Sequence, residues 1–414
     1  WKGEHELRKL EVYIEEDGDF VLAGQIQGET WEDARFIYEK SYLENQSHQP
    51  VSISLPFQED AFSPFETRCY FEGLLPEGYT RRCVAGWMHV AEEDYLSVLA
   101  GLGNECLGAV RICEPGAGGC SPSYKKISRE ELLEFAKEGA SKSAQFLAKA
   151  HLSLTGASGK TGLYYDNKDG WYMPFGTAPS THIVKQSHVR LSGIVANEQL
   201  CLRTAKILGI DVPESFIISV GTGEHILFAT KRFDRLMQED SRVIDGKKVP
   251  FRLQQEEALG VPASQKYEKI GDSYLKRVFT LLRQYSDNPV EDQLKLWDIC
   301  IFNYLIGNTD NHIKNIGLLY GKDRRTIRLA PAYDIVSTKR VQNKWQWQLM
   351  ENWIFARLQK NHFAQRQGIL DSERESQCGG LNKCRTLLNV HLHRRRKKYR
   401  MRDIRALRKS MRRF

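Results

Sequence analysis

A stretch of ten residues with neither a helix nor a strand pattern divides the sequence. Seven of the ten residues from Glu114 to Ser123 are glycine, proline or serine, the composition of a linker. The chain has 414 residues, enough for two or three domains, and its 41% apolar residues suffice for sizeable cores. We therefore expect an N-terminal domain over residues 1–115, a linker at 116–123, a second domain over 124–340 and an atypical basic tail at 341–414.

The distribution of charge, apolar residues and cysteines excludes several classes of protein. The net charge is +8, but thirteen lysines or arginines and one acid lie between residues 385 and 414, so the preceding residues are slightly acidic. No run approaches the roughly 18–20 apolar residues of a membrane helix, and the start at Trp1 lacks a signal-peptide core. The nine cysteines show no CxxC spacing. We expect a truncated or processed cytoplasmic chain with free thiols, no zinc and no membrane contact.

Local patterns predict strands and helices in both parts. Apolar residues alternate over 10–14 and 20–22 around the turn Asp17-Gly18, which predicts a β-hairpin, and residues 51–55 should form a further strand. Helices should begin at Ser63 and Ser128, each of which forms a capping box with a glutamate three residues later. Another helical stretch should run from about Asp94 to Leu102. Later strands should lie at residues 181–184, 215–220, 226–231 and 326–329.

The densest chemistry follows a long amphipathic helix. Apolar residues recur at helical spacing at Val290, Leu294, Trp297, Ile301 and Leu305, and this helix should end at Gly307. The next eight residues contain an acid, an imidazole, an amine and several amides. Such a density of polar groups directly after a helix makes residues 307–315 the first candidate for a functional site.

Three of these polar residues have the spacing of a phosphoryl-transfer site. Asp310 and Asn315 form D-x-x-x-x-N, and Asp334 follows after a short predicted strand. Phosphoryl transfer uses one carboxylate to receive the hydroxyl proton, and an amide and a second carboxylate to hold Mg²⁺. The alternative is a polar turn capped by asparagine and aspartate, without a ligand.

A glycine-rich turn upstream resembles a phosphate-binding loop only in part. The P-loop rule G-x-x-x-x-G-K-[ST] requires a first glycine where this chain has Leu154, so a P-loop NTPase is disfavoured. A shorter turn over residues 155–160 can still direct backbone N–H groups and Lys160 at phosphate, although a plain β-turn is an equal alternative. Further on, Lys185 ends a strand and Glu198 opens a helix, the pair with which kinases fix the α and β phosphates.

These segments, in this order, resemble the HipA family of toxin serine/threonine kinases. The resemblance covers residues 8–338 and is carried by stretches at 52–56, 71–78, 102–109, 152–161, 181–185, 197–198, 231–235, 307–315 and 333–337. It implies an α+β architecture in which a small N-terminal domain of strands and helices is fused to a two-lobed, protein-kinase-like fold. It also implies a kinase toxin that uses ATP and Mg²⁺.

The resemblance assigns roles to single residues. Asp310 would be the catalytic base, and Asn315 and Asp334 would bind Mg²⁺. Ser153 matches the serine that the family autophosphorylates. The residues assigned to ATP are Thr155, Gly156, Ala157, Ser158, Gly159, Lys160, Lys185, Phe233 and His312. The implied partners are a HipB-like DNA-binding antitoxin, DNA through that antitoxin, and a substrate such as glutamyl-tRNA synthetase or another aminoacyl-tRNA synthetase.

The sequence departs from the family at three places. Ser158-Gly159 replaces the usual glutamine and polar residue of the turn. Residues 252–260 look about three residues short, and we expect them to form a helix that this deletion would rotate. After about Lys339 the resemblance stops.

A shifted reading frame explains the third departure. The codons from Lys344, read from their third base, are compatible with Met/Val-Ala-Met/Val-Ala-x-x-Gly-Lys/Glu-Leu-Asp, a segment of the family type. We therefore favour a frameshift between residues 338 and 344 over its competitor, a genuine nucleic-acid-binding arm. The alternative to an active kinase is then an impaired remnant that only binds its antitoxin and DNA.

Overall fold

The predicted hairpin opens a four-stranded antiparallel sheet in the computed structural model, which describes residues 7–117, 121–154, 159–187, 193–221, 225–269 and 271–338. Strands β1 (Arg8–Glu16) and β2 (Asp19–Gly28) are joined by Asp17 and Gly18, whose φ angles of 49° and 94° suit a two-residue turn. Strands β3 (Arg35–Tyr38) and β4 (Val110–Cys113) complete the order β3-β2-β1-β4.

Four helices pack with this sheet. They are α1 (Lys40–Glu44), α2 (Pro64–Gly73), α3 (Gly78–Met88) and α4 (Tyr95–Leu102). The predicted capping box of Ser63 and Glu66 starts α2, and the Asp94 side chain caps α4. The predicted strand at 51–55 is wrong: Ser52 and Leu55 form only an isolated bridge across a turn. The Tyr38 hydroxyl holds this turn by bonding the Val51 N–H at 2.9 Å and the Leu55 carbonyl at 2.5 Å.

A six-stranded antiparallel sheet with the order β5-β7-β6-β8-β10-β9 follows. Its strands are β5 (Ser123–Lys126), β6 (Lys160–Asp166), β7 (Gly170–Phe175), β8 (His182–Gln186), β9 (Ser215–Val220) and β10 (His225–Lys231). Helices α5 (Arg129–Glu138), α6 (Ala140–Ala150) and α7 (Ile194–Ile207) accompany them. One continuous hydrophobic core joins residues of this sheet with residues of the first, so the two sheets are packed as a single body.

The remaining described residues build a second lobe. It contains β11 (Arg235–Leu236), β12 (Val243–Ile244), β13 (Lys247–Lys248), β14 (Phe251–Arg252), β15 (Gln255–Glu257), α8 (Tyr274–Tyr285), α9 (Pro289–Ile306), β16 (Gly317–Tyr320) and β17 (Ile327–Leu329). The predicted helix at 252–260 is wrong, because β15 pairs with β16 in a sheet of order β15-β16-β17. The rotation of roughly 60° that such a deletion would impose on a helix therefore does not apply to this segment.

Helix α9 forms as predicted and ends at Gly307, but it buries the predicted apolar face only toward its C-terminal end, where Leu305 is 3% exposed. Val290, Leu294 and Trp297 are 71%, 53% and 52% exposed. Asp292 is fully buried instead, because its carboxylate accepts hydrogen bonds from the Arg328 guanidinium and the Leu329 N–H at 2.9 Å each. These bonds fix the rotation of the helix and leave an apolar stripe on its outer side.

A buried ionic cluster ties the N-terminal domain to residues 232–235, which follow β10, and to Arg252 on β14. The Glu105 carboxylate, before β4, contacts the guanidinium groups of Arg232, Arg235 and Arg252 at 3.1, 2.9 and 2.7 Å. Glu15 and Asp234 bring the cluster to three acids and three bases, all with side chains at most 4% exposed. Burial alone would raise the pKa of Glu105, but the three arginines outweigh it and hold that pKa well below its usual range.

Glu105→Gln should therefore destabilise the fold strongly. The substitution leaves buried guanidinium charge uncompensated, which costs about 3–5 kcal/mol when one partner of a buried pair is removed. Denaturant unfolding should show this loss, whereas Glu134→Gln, which breaks an exposed pair with Lys142, should leave the midpoint unchanged. Equal midpoints for the two variants would show that the cluster contributes no net stability.

No helix in the described ranges is long and apolar enough to cross a bilayer. The six cysteines described there have free thiols.

Candidate active site

The loop after α9 is held by a chain of asparagine side chains. Gly307 ends the helix with a φ of 68°, a conformation that glycine adopts without strain. The Asn303 amide then donates to the Asn311 side-chain oxygen at 3.1 Å and accepts from the Asn308 amide at 3.0 Å. The Asn315 side chain donates to the Asp310 carbonyl at 3.2 Å. These bonds bring the two ends of the predicted D-x-x-x-x-N segment together.

Asp310 is exposed and accepts one hydrogen bond from outside its loop. The donor is the Tyr267 hydroxyl at 2.5 Å, and the carboxylate raises the pKa of that tyrosine to about 12. The ring of His312 lies edge-on to the Tyr267 ring at 5.5 Å. Burial, followed by the charge of Lys266, lowers the pKa of His312, so the imidazole is neutral at pH 7. Its Nδ1 is buried with no hydrogen-bond partner among the described residues.

Asp334 lies beside two lysines. Its carboxylate contacts Lys185 Nζ directly and lies 3.9 Å from Lys160 Nζ. Lys185 Nζ also donates to Glu198 Oε1 at 2.7 Å, so the predicted pair between strand β8 and helix α7 is present. Burial opposes ionisation of Asp334, but Lys185 and then Lys160 hold its pKa well below the usual range. Burial lowers the pKa of Lys160.

The backbone at Asp334 is unusual, with a φ of 54° in the left-handed region. Such a conformation costs a non-glycine residue free energy and often occurs where a side chain is aimed at a site. The Asp334 and Asn315 side chains line the same cavity, together with Asn303, Asn308 and Tyr333. A carboxylate and an amide oxygen on one cavity are hard donors of the type that Mg²⁺ prefers. The residues present therefore fit a magnesium ion.

The other residues predicted to bind ATP lie on β6, before β6 and between the two lobes, or fall outside the described residues. Lys160 begins β6 and is buried, and the Gly159 carbonyl accepts from the Gln186 N–H at 3.2 Å. Phe233 is half-buried between the lobes, with its ring centroid 5.7 Å from that of Tyr333. The predicted residues Thr155, Gly156, Ala157 and Ser158 lie outside the described residues.

Ser153 is fully buried and its hydroxyl faces the N-terminal domain. It donates to the Leu74 carbonyl at 2.7 Å, and the Ser153 N–H donates to the Glu105 carbonyl at 2.8 Å. In this arrangement the hydroxyl is not accessible from solvent. Any modification of this residue requires the segment to leave its place.

Sequence reasoning missed two groups beside the site. Tyr267 was not considered, although its hydroxyl bonds Asp310. Lys314 was noted only as an amine, yet it is buried between Glu77 and Glu257. The one available signal was the position of Lys314 inside the polar segment, because its two partners are distant in the sequence.

Comparison with known proteins gives matches over most of the chain. A family model described as the HipA N-terminal domain matches residues 10–113, and one described as the HipA-like C-terminal domain matches residues 152–400. Y4mE of Sinorhizobium fredii is 33% identical over 334 residues, 77% of this chain and 76% of that protein. The serine/threonine-protein kinase toxin HipA of Shewanella oneidensis is 26% identical over 345 residues, 79% of this chain and 75% of that protein.

A solved structure shows the same fold. It is the complex of HipA, HipB and operator DNA from Shewanella oneidensis, with a TM-score of 0.66 at 22% identity. The alignment covers 92% of this chain and 94% of that chain. The α+β architecture with an N-terminal domain and a kinase-like fold, expected from the sequence, is thereby confirmed.

Proposed function

This chain belongs to the HipA family, and we propose that it is a serine/threonine protein kinase that uses ATP and Mg²⁺ as the toxin of a toxin–antitoxin module. The observation that carries this proposal is the contact of Lys185 with both Glu198 and Asp334. Asp334 in turn lines a cavity together with Asn315. A strand lysine, a helix glutamate and a metal-binding pair are the parts that kinases use to hold the phosphates of ATP.

Each residue would have one task in this reaction. Asp310 would orient the substrate hydroxyl and receive its proton. Asn315 and Asp334 would hold Mg²⁺, which when bound supplies positive charge against the phosphate oxygens. Lys185 and Lys160 would bind phosphate. We further assign the turn at residues 155–160 to the nucleotide phosphates, and Phe233 and His312 to contacts with the nucleotide, since the buried Nδ1 of His312 has no described partner.

The ion pairs of the described state bear on how ATP would bind. Lys185 now divides its charge between Glu198 and Asp334. The Asp334 carboxylate would hold Mg²⁺ with the oxygens that now face Lys185, and the ion would supply positive charge against the phosphate oxygens. Lys185, kept in place by Glu198, would contact a phosphate.

Ser153 is proposed as the site of autophosphorylation. Its hydroxyl has a place inside the protein because it is neutral and donates to the Leu74 carbonyl. A phosphate of charge about −1.5 to −2 could neither donate that bond nor remain buried beside a carbonyl oxygen. Phosphorylation would thus expel the segment and disturb the adjoining turn at 155–160.

The partners are proposed from the family. The structure of the Shewanella oneidensis protein contains HipB and operator DNA. We propose a HipB-like antitoxin for this chain, DNA contact through that antitoxin, a cytoplasmic location and an aminoacyl-tRNA synthetase as substrate.

Phosphorylation of purified glutamyl-tRNA synthetase in the presence of Mg·ATP tests the substrate assignment. Mass spectrometry should find phosphoserine on the synthetase with the unaltered chain and none with Asp310→Asn. An unmodified synthetase, with phosphate on the kinase alone, would exclude this substrate while leaving the activity in place.

The exposed stripe on α9 favours a second candidate, an impaired family member that binds its antitoxin and DNA without turnover. Val290, Leu294 and Trp297 form an exposed apolar strip of a kind that usually has a partner surface. An out-of-frame tail would not supply the helices that complete the family's second lobe. The family model described as the HipA-like C-terminal domain matches as far as residue 400, so the expectation that the resemblance stops after about Lys339 is wrong. The nucleotide sequence of codons 335–345 tests the proposed frameshift.

Deleting residues 341–414 should change kinase activity little if that segment is out of frame. Its residues would then not have been selected to support the site. Restoring the reading frame should instead raise solubility, cooperativity of unfolding and activity together. A sharp fall in activity or DNA affinity on deletion, without recovery in the restored frame, would identify the basic tail as a working part of the protein.

A further inference from the structure

Lys314 is a buried lysine inside the loop at 307–315 that the proposed reaction does not use. Its ammonium lies 3.2 Å from Glu77 Oε1 and 2.9 Å from Glu257 Oε2, and its side chain is only 6% exposed. Glu257 belongs to β15 of the same lobe as the loop. Glu77 belongs to the N-terminal domain, in the turn between α2 and α3. One carboxylate of that domain therefore reaches into the loop that carries Asp310 and Asn315.

Glu77 also reaches the loop from its other side. Its Oε2 contacts Lys266 Nζ at 3.2 Å, and the Lys266 carbonyl accepts from the Ile313 N–H at 3.1 Å. The next residue, Tyr267, donates its hydroxyl to Asp310. The same carboxylate thus holds Lys314 directly and Asp310 through the segment at 266–267.

The loop is linked in turn to the segment that carries Asp334. The Lys314 carbonyl accepts from the Tyr333 hydroxyl at 3.1 Å, one residue before Asp334. A displacement of Lys314 would therefore shift both proposed magnesium ligands, Asn315 and Asp334.

Of the two carboxylates that contact Lys314, Glu77 is the one whose negative charge is favoured by its surroundings. Burial opposes its ionisation, but Lys314 and Lys266 together keep the pKa of Glu77 below its usual value. Burial raises the pKa of Glu257 to about 7, although Lys314 acts against that rise. Without the Glu77 charge, Lys314 would keep only its contact with Glu257, and Lys266 would lose the carboxylate that it contacts.

We propose that Glu77 is a positioning residue of the N-terminal domain that fixes the loop at 307–315 for phosphoryl transfer through Lys314 and Lys266. This inference rests on the proposed kinase function. It gives the N-terminal domain a direct part in the activity of the other lobe, in addition to its packing against it. Glu77 itself touches no reacting atom.

Glu77→Gln tests the proposal against a matched control. The control is Glu16→Gln, which also removes a carboxylate of the N-terminal domain that pairs with the second lobe, at Arg324 Nη1 2.7 Å away. Arg324 lies in the turn between β16 and β17, so this pair does not hold the loop. With the purified full-length chain, Glu77→Gln should lower kcat about tenfold or more, as expected when reacting groups are misplaced by a fraction of an ångström, with KM for ATP within about threefold. Glu16→Gln should leave both constants unchanged.

Hydrogen–deuterium exchange tests the same inference without activity. The amides at 308–316 should exchange faster in Glu77→Gln than in Glu16→Gln, while the strands β6 and β8 exchange equally in both. If Glu77→Gln fails to fold, Lys266→Gln breaks only the second route and should show a smaller effect of the same kind on kcat and on these amides.

The outcomes separate the two proposals. An unaltered chain without phosphoryl transfer would overturn the proposed function, while faster exchange at 308–316 in Glu77→Gln would still support the positioning role. An active chain in which both glutamine variants have the same kcat and the same exchange would overturn the positioning role alone. A loss confined to KM would likewise contradict it, since it would place Glu77 in nucleotide binding.

Discussion

Asp310→Asn should lower phosphoryl transfer by about 10²–10⁴-fold, the range that a positioned general base contributes. Mg·ATP binding should stay within a few fold, because the proposed contacts with the nucleotide come from Lys185, the turn at 155–160 and the metal, not from Asp310. The asparagine keeps the shape of the side chain and can still accept from the Tyr267 hydroxyl. Single-turnover transfer and calorimetric ATP binding measure the two quantities separately.

Asp323→Asn is the matched control for this variant. Asp323 accepts hydrogen bonds from the Thr326 hydroxyl and N–H within the turn between β16 and β17. Its loss should leave the rate of transfer unchanged. Unreduced transfer by Asp310→Asn would remove Asp310 from the reaction, and an equal loss in both variants would point to a general effect on the fold.

Asp334→Ala should have the opposite pattern and weaken Mg·ATP binding itself. The affinity should fall about 100-fold or more, since even the loss of an outer-shell partner commonly costs 10–100-fold in metal affinity. The variant removes the proposed charged ligand and also removes the carboxylate that Lys185 and Lys160 both face, so that Lys185 keeps its contact with Glu198. Titration of ATP binding against Mg²⁺ measures the effect, and an unchanged dependence on Mg²⁺ would place the metal elsewhere.

A second variant separates the loss of the ligand from backbone strain. Asp334 has a φ of 54°, and alanine in that region costs roughly 1–2 kcal/mol. Asparagine tolerates the conformation better and keeps one oxygen on the same cavity. Asp334→Asn also removes the charge that faces Lys185 and Lys160, so it should lose some stability in denaturant unfolding, but less than Asp334→Ala. It should still bind Mg·ATP more weakly than the unaltered chain.

Elements with local determinants were predictable from the sequence. The hairpin at Asp17-Gly18 and the helices after Ser63 and Ser128 depend on residues within a few positions of each other, and each formed where its signal lay. The turn at 51–55 was read as a strand because its apolar residues alternate. The Val51 and Leu55 side chains are indeed buried, but the backbone turns because its Val51 N–H and Leu55 carbonyl bond the hydroxyl of Tyr38, which the local pattern does not reveal.

The rotation of α9 shows the same limit. The periodicity of Val290, Leu294 and Trp297 located the helix, but not the side that faces the core. The decisive contacts come from Arg328 and Leu329 on β17, which bind the Asp292 carboxylate. The spacing of apolar residues cannot reveal that a carboxylate of the same helix will be buried, because its partners follow more than thirty residues later in the sequence.

In the candidate site, sequence spacing predicted which residues form pairs, but it did not predict the contacts that come from distant parts of the chain. The separation of Asp310 and Asn315 and the pairing of Lys185 with Glu198 were readable, and the structure brings each pair together. The support for the loop was not, because Glu77 lies on another domain and meets Lys314 only in the folded chain.

Transfer of the γ-phosphate from labelled ATP by the purified chain, with Mg²⁺ and with a chelator, tests the central claim most directly. We predict transfer to serine that requires Mg²⁺, is lost in Asp310→Asn and needs a higher Mg²⁺ concentration in Asp334→Asn. Transfer that persists in the chelator, or that both variants perform at the rate of the unaltered chain, would contradict the assignment of these residues to a kinase site.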